Sequence, residues 1–287
     1  MKKLISLIMV MIFCVSCLTL LNGCGDNKKV GESGKELLVM ATNAEFPPYE
    51  FVEGGQIVGI DAEIAAAIAD KLGMELKIEN VEFSSVLSGV SSGKFDMGMA
   101  GITVTEDRKK TMDFSNTYAT GIQVIIVNDG SDIVDLDSIF NFDAEGNPVS
   151  LKNPDMKVGV QESTTGDIYS SCDVTEWGFN DIAADGSTKT ERVLRYKAGA
   201  DAIAALKSGK VNCVIIDNEP AKSFVAANEG IHILEGENEY VIEDYAIAVK
   251  KGNTELLEKI NKALEELKAD GTIDRIIEKY IPKDGSK

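Results

Sequence analysis

Arg108 stands five residues beyond Thr103 in the stretch Ala100-Gly101-Ile102-Thr103-Val104-Thr105-Glu106-Asp107-Arg108. A guanidinium is a planar fork that holds a carboxylate through two parallel hydrogen bonds. Gly101 lets the backbone approach a bound molecule closely, and Thr103 offers a hydroxyl beside it. Asp217 ends the apolar run Val211 to Ile216 and has the charge to hold an ammonium. Between these two, Gln161 to Asp167 reads as a helix start that includes Thr164 and Thr165, and free N–H groups at such a start favour anions. An arginine and an aspartate facing one cleft are what a zwitterionic α-amino acid needs. Taken alone, 100–108 is equally an ordinary loop with a solvated arginine, because short motifs are weak.

Catalytic patterns are missing. The single histidine, His232, sits in the apolar run Ile231 to Leu234 and reads as structural. There is no Gly-x-Ser-x-Gly elbow, no phosphate loop and no zinc spacing. With 47 acidic residues, close carboxylate pairs are unavoidable and carry no weight. The net charge of −18 argues against a nucleic-acid partner, which needs basic patches. No cofactor and no metal are expected.

The elements that must position these residues follow a βαβ rhythm, which implies parallel sheets covered by helices. Leu37 to Thr42 reads as a buried strand, and Asn43 and Phe46 follow it in a loop stiffened by Pro47 and Pro48. Asp61 is read as the cap of a helix with Ile64, Ile68 and Leu72 on one face, stopped by Gly73. Lys77 to Glu82 is the next strand, Ser84 to Ser92 a helix that brings Phe83 with it, and Phe95 to Met99 a strand aimed at Gly101. Gly121 to Asn128, Lys157 to Val160, Val193 to Tyr196, Val211 to Ile216 and Tyr245 to Val249 read as strands. Helices are expected at Ala200 to Ser208, at Thr254 to Asp270 and on to Tyr280. Ser92-Gly93-Lys94 and Ser208-Gly209-Lys210 each end a helix and open an apolar strand. Eight residues past the two glycines lie Gly101 and Asp217, the register that two similar lobes aiming at one cleft would produce.

The amino terminus reads as a targeting segment. Lys2 and Lys3 precede the apolar run Leu4 to Leu21, then Asn22-Gly23-Cys24. Leu21 to Cys24 resembles a bacterial lipoprotein cleavage box, so 1–23 is expected to be a signal peptide and Cys24 the lipidated first residue. A membrane-spanning anchor is the alternative. Residues 24–36 read as a flexible tether. Of five cysteines, Cys172 and Cys213 remain, either paired or as buried thiols.

From Leu37 to Ile281 the chain resembles the bacterial extracellular solute-binding proteins that feed polar amino acids to ABC importers. The resemblance rests on seven ordered segments: Ala41 to Phe51, Val58 to Asp61, Gly101 to Arg108, Met112 to Ser115, Val158 to Gly166, Ile216 to Pro220 and Ala269 to Thr272. It implies a type II periplasmic-binding-protein-like α/β clamp, each lobe a mixed, mostly parallel sheet flanked by helices. Lobe 1 would be 37–119 with 245–283 and lobe 2 would be 120–244, joined by crossover strands near Thr120 and Asp244. It implies that Arg108 grips the ligand carboxylate with help from Thr103 and Thr165. Asp217 would grip the ammonium with Gly101 and Thr103, Phe46 and Phe83 would flank the side chain, and Asn43 and Gln161 would read its polar end. The implied partners are an amino acid, the ABC permease with its ATPase, and the membrane through the lipid; the protein itself is expected to be a monomer and not an enzyme. Residues 132–155 and 173–188 are longer than usual connections and are expected to be surface insertions of lobe 2. Asn43 stands where many relatives carry an aspartate. Periplasmic dehydratases and sensor domains on the same fold are the alternatives.

Overall fold

The computed structural model describes residues 29–234 and 242–282; the expected leader and Cys24 fall outside them. Within the expected tether, residues 29–36 close a tight turn: Val30 bridges Glu36, and the Glu75 carboxylate accepts from the Ser33 amide at 2.9 Å. Carboxylate and backbone contacts of this kind need no apolar residue, which is why composition alone did not reveal them.

Two mixed sheets organise the chain. The first has the order Glu75–Asn80, Leu37–Thr42, Met97–Gly98, Ala248–Lys250, Met112–Phe114; its first three strands are parallel, and Ala248–Lys250 runs antiparallel to both neighbours. The second has the order Val193–Tyr196, Val158–Gln161, Cys213–Asp217, Ala119–Asn128, Ile231–Ile233, with Ile242–Tyr245 also paired to Ala119–Asn128. The chain therefore leaves the first sheet after Met112–Phe114, builds the second, and returns through Ile242–Tyr245. The two passages are hydrogen-bonded to each other, with Thr120 opposite Asp244. The expected single strand 245–249 is thus two, ending at Tyr245 and restarting at Ala248, with Ala246 and Ile247 spanning the passage between lobes.

Helices cover the sheets as the periodicity requires. Ile60–Leu72 buries Ile64 and Ile68 and stops at Gly73, which takes the left-handed conformation (φ 68°) that glycine adopts at no steric cost. Its N-cap is Gly59, not Asp61; Asp61 is a buried first-turn residue with tertiary partners described below. Thr254–Ala269 buries Ile260, Ala263, Leu264 and Leu267. Each fully buried Leu or Ile is worth about 1.5–3 kcal/mol, so this stripe and the facing Ile64 and Ile68 hold lobe 1 together.

The second sheet is covered unequally. Ile126, Val214 and Ile216 face the helix Gly199–Lys207, whereas Ile125, Val158, Val160, Cys213 and Ile215 face the two long connections. Those connections are not mere surface insertions. They form hairpins, Phe140–Phe142 with Pro148–Leu151 and Asp181–Ile182 with Thr188–Thr190, and insert Ile139, Phe140, Val174 and Phe179 into the core. Aromatic side chains from two short hairpins do the work a helix does elsewhere. Cys213 is buried in this layer and Cys172 is apart from it; both thiols are free.

Candidate ligand-binding site

All eleven residues singled out above line one cavity between the sheets: Asn43, Phe46, Phe83, Ala100, Gly101, Thr103, Arg108, Gln161, Thr164, Thr165 and Asp217. Glu50 joins them. The space not filled by atoms there, open solvent at the mouth included, is about 310 Å³. A more spacious depression lies on the outer side of lobe 1, and its lining includes surface ion pairs such as Lys71 with Glu266 at 3.3 Å.

Backbone geometry places each group. Gly101 follows Met97–Gly98 with φ 54°, and its N–H donates to Asp61 Oδ2 at 3.1 Å. Arg108 sits in the one-turn helix Glu106–Lys109, capped by the Thr105 hydroxyl at 3.2 Å. Its Nη1 donates to the Thr103 carbonyl at 2.8 Å and its Nη2 to the Ser163 carbonyl at 3.0 Å. Ser163 takes a left-handed φ of 67°, a strained state for a non-glycine residue, of the kind that clusters at functional sites. The guanidinium also lies 5.5 Å from the Phe83 ring centroid, a favourable placement for a partly desolvated cation. Thr164 caps Thr165–Ser170, accepting from the Asp167 amide at 3.3 Å. That helix has only six residues, so its dipole is short and the Thr164 and Thr165 groups themselves are what it offers.

The two lobes touch across the cavity. Gln161 Nε2 donates to Asn43 Oδ1 at 2.8 Å, the Thr103 and Thr165 hydroxyls are 3.5 Å apart, and Lys197 pairs with Glu82 at 3.1 Å. Together with the Arg108 bond to Ser163, these contacts describe a closed clamp.

Charge is distributed unevenly over the walls. Asp217 accepts from the Tyr245 hydroxyl, and burial followed by the Glu243 charge pushes its carboxyl up to about 7. Burial lowers Arg108, opposed by the charges of Glu243 and Asp217. Below Gly101, Glu50 and Asp61 form a buried pair. Counted as a carboxylate, Glu50 has no donor for either oxygen among the described residues; counted as an acid, it donates to Asp61. Burial and the Asp61 charge hold its pKa well above the usual range, while burial lifts Asp61 to about 6 against the Gly101 and Tyr118 hydrogen bonds.

Glu50, Ser163, Tyr245, Gln123 and Glu243 were missed by sequence reasoning. Glu50 had a signal, since it directly follows the rigid Pro-Pro-Tyr segment, and Ser163 lies within the helix start read at 161–167; Tyr245, Gln123 and Glu243 depend on strand pairing between distant segments. His232 lies away from the cavity, its Nδ1 2.8 Å from Asp129 on the surface.

The sequence model of the bacterial extracellular solute-binding proteins, family 3, matches residues 38–283. The chain is 31% identical over 274 residues to the arginine-binding extracellular protein ArtP of Bacillus subtilis (strain 168), covering 93% of this chain and 94% of that protein. It is 30% identical over 302 residues to the ABC transporter glutamine-binding protein GlnH of the same organism, covering 99% of both. A crystal structure of the substrate-binding protein of an amino acid ABC transporter superposes with a TM-score of 0.72 at 30% identity, over 86% of this chain and 100% of that one. With the match running from the first strand to the last helix, the chain belongs to the bacterial extracellular solute-binding proteins, family 3.

Proposed function

We propose that this protein captures an L-amino acid between its lobes, closes on it, and delivers it to the membrane permease of an ABC importer. The observation that carries the reading is that Arg108, on a one-turn helix of lobe 1, and Asp217, at the end of a lobe 2 strand, line the same small cavity. Arg108 is assigned to the α-carboxylate with the Thr103 and Thr165 amides, and Asp217 to the α-ammonium with Gly101 and Thr103. Phe46 and Phe83 sandwich the side chain, and Asn43 and Gln161 meet its polar end. The relatives' names, arginine-binding and glutamine-binding, support a polar side chain. The lobes are taken as 37–119 with 245–283 and 120–244. The protein acts as a monomer without catalytic activity, held outside the cytoplasm by lipid on Cys24, with 1–23 removed.

The test is a thermal-shift panel of the twenty common amino acids and cystine. A ligand at a hundred times its dissociation constant adds about 2.7 kcal/mol to stability, a shift readily seen. A panel in which no amino acid raises the unfolding temperature overturns the reading.

A further inference from the structure

We infer that Glu243, on the strand that returns between the lobes, fixes the Thr103 hydroxyl as an acceptor and so makes the site demand a hydrogen-bond donor, an ammonium, on the ligand's α-carbon. The inference rests on the amino-acid reading above and adds to it a residue that does not line the cavity.

Glu243 is 2% exposed and stands opposite Gly121 in the pairing of Ile242–Tyr245 with Ala119–Asn128. Its Oε2 accepts from the Thr103 hydroxyl at 2.8 Å and from Gln123 Nε2 at 3.2 Å. Its Oε1 is buried with no donor within hydrogen-bonding distance among the described residues; the Tyr169 hydroxyl approaches the carboxylate more loosely. A threonine hydroxyl has one hydrogen. With that hydrogen committed to Glu243, the oxygen of Thr103 offers only lone pairs to the cavity it lines, and the nearest other hydroxyl, Thr165, is 3.5 Å away. A ligand atom meeting Thr103 must therefore donate. An N–H of an ammonium satisfies it, and a methylene or a carbonyl oxygen does not.

The charges agree with the geometry. Burial and the Glu243 charge raise the Asp217 carboxyl, and the Glu243 and Asp217 charges act on the buried Arg108 guanidinium. An ammonium arriving beside Asp217 favours its ionised form. A buried carboxylate with an unpartnered oxygen is costly to keep for packing alone. An amide of the same shape would remove that cost, but it can donate as well as accept and so would not restrict the hydroxyl to one orientation.

The experiment is calorimetry of wild type and Glu243→Gln with the twenty common L-amino acids. The tightest binder is then compared with its deaminated acid, glutaramic acid for L-glutamine or 5-guanidinopentanoic acid for L-arginine. The glutamine amide can donate to Thr103 and turn its hydrogen toward the cavity. The preference for the amino acid over the deaminated acid should fall by about tenfold or more, the size of a charge-assisted hydrogen bond, with the unfolding temperature little changed. A variant that weakens both probes in the same proportion overturns the inference and makes Glu243 a purely structural hinge residue. Thr103→Val supplies the second arm and stands even if Glu243→Gln fails to fold. It should lower the same ratio on its own, and the double variant should bind no worse than the weaker single one. An unchanged ratio in Thr103→Val, or fully additive effects in the double variant, likewise overturns it. Absence of binding by every amino acid to wild type would instead remove the proposed function, a distinct result.

Discussion

Gln161 Nε2 donates to Asn43 Oδ1 at 2.8 Å, joining the end of a lobe 2 strand to the residue that follows the first strand of lobe 1. Gln161 Nε2 uses both its hydrogens, the second on the Lys197 carbonyl at 3.2 Å, whereas Asn43 Nδ2 uses one, on the Val81 carbonyl at 3.1 Å. What this end of the cavity offers a ligand side chain is therefore amide oxygen and one amide N–H, without formal charge.

Asn43→Asp should shift the preference toward cationic side chains. A unit charge at 4 Å is worth about 1 kcal/mol in water and about 4 kcal/mol at a protein surface, and 1.4 kcal/mol is tenfold in affinity. The affinity ratio of L-arginine to L-glutamine should rise by about tenfold or more, measured by calorimetry. An unchanged ratio would remove Asn43 from the side-chain end of the site.

Arg108 and Asp217 are assigned to groups that every α-amino acid shares, so their loss should weaken all amino-acid ligands alike. Truncating one partner of a desolvated charge pair costs about 2 to 5 kcal/mol, because the other charge is left unpaired. Arg108→Ala and Asp217→Ala should each reduce affinity by roughly two to three orders of magnitude. Arg108→Lys should also bind poorly, since an ammonium cannot reproduce a fork that already reaches Thr103 and Ser163. Wild-type affinity in Asp217→Ala would show the ammonium assignment to be wrong.

Asp61 should leave a mark on the pH dependence of stability. Burial lifts it from 3.8 to about 6, so folding favours its protonated form. That contribution is complete below pH 3.8 and is lost as the pH rises through about 6. A rise of this size corresponds to about 3 kcal/mol. Asp61→Asn, neutral throughout, should gain up to about 3 kcal/mol relative to wild type between pH 4 and pH 7 in urea titrations. Both proteins lose or gain the same surface terms, so their difference reports on Asp61 together with Glu50, whose carboxyl burial and the Asp61 charge hold up. Parallel stability curves would rule out a proton held in the Glu50–Asp61 pair.

Much of the site was legible because its carriers are local. Gly93 and Gly209 both stop helices in the left-handed conformation, φ 80° and 72°, and the strands after them aim Gly101 and Asp217 at the same cavity. The register read from the two Ser-Gly-Lys segments is a register of turn chemistry, which sequence specifies well. Asp61 failed as a cap because its carboxylate is used by Gly101 and Tyr118, both distant in sequence. Glu243 and Tyr245 had no local signal either. Their roles exist only once Ile242–Tyr245 pairs with Ala119–Asn128, a pairing set by the whole fold. The aromatic residues of the lobe 2 connections escaped for a similar reason: polar, Gly-rich connections hide residues such as Phe140 and Phe179, which pack against each other and against a sheet they do not belong to.

Cys24→Ser should block lipidation and leave an uncleaved or mislocalised precursor. Mass spectrometry of the mature amino terminus decides it, and an unmodified terminus downstream of Cys24 would refute the lipid anchor.

Tyr245 offers the most specific test of how the passage between lobes serves the ligand. It is fully buried, its ring meets Tyr49 edge-on at 5.1 Å, and its hydroxyl donates to Asp217 Oδ1. Gly121 lies against it: an added Cβ would fall on that hydroxyl and stand 3.1 Å from Asp217 Oδ1. Gly121→Ala must therefore push aside a ring with nowhere to go, at an overpacking cost of about 1–3 kcal/mol, and should weaken amino-acid binding as well. Tyr245→Phe removes the donor without crowding, which separates the two effects. Asp217 must be ionised to hold an ammonium, and the hydroxyl lowers its pKa against burial and the Glu243 charge. Without the hydroxyl the carboxyl is driven further up, so more of it is protonated on the acid side of neutrality. Tyr245→Phe should weaken amino-acid binding by about tenfold near neutral pH, as expected for loss of a hydrogen bond to a charged group. The loss should be larger at pH 6 than at pH 8. Calorimetry at the two pH values, with unfolding temperatures as a control, makes the measurement. An equal loss at both would mean that Tyr245 merely fills space beside Asp217 and does not tune its charge.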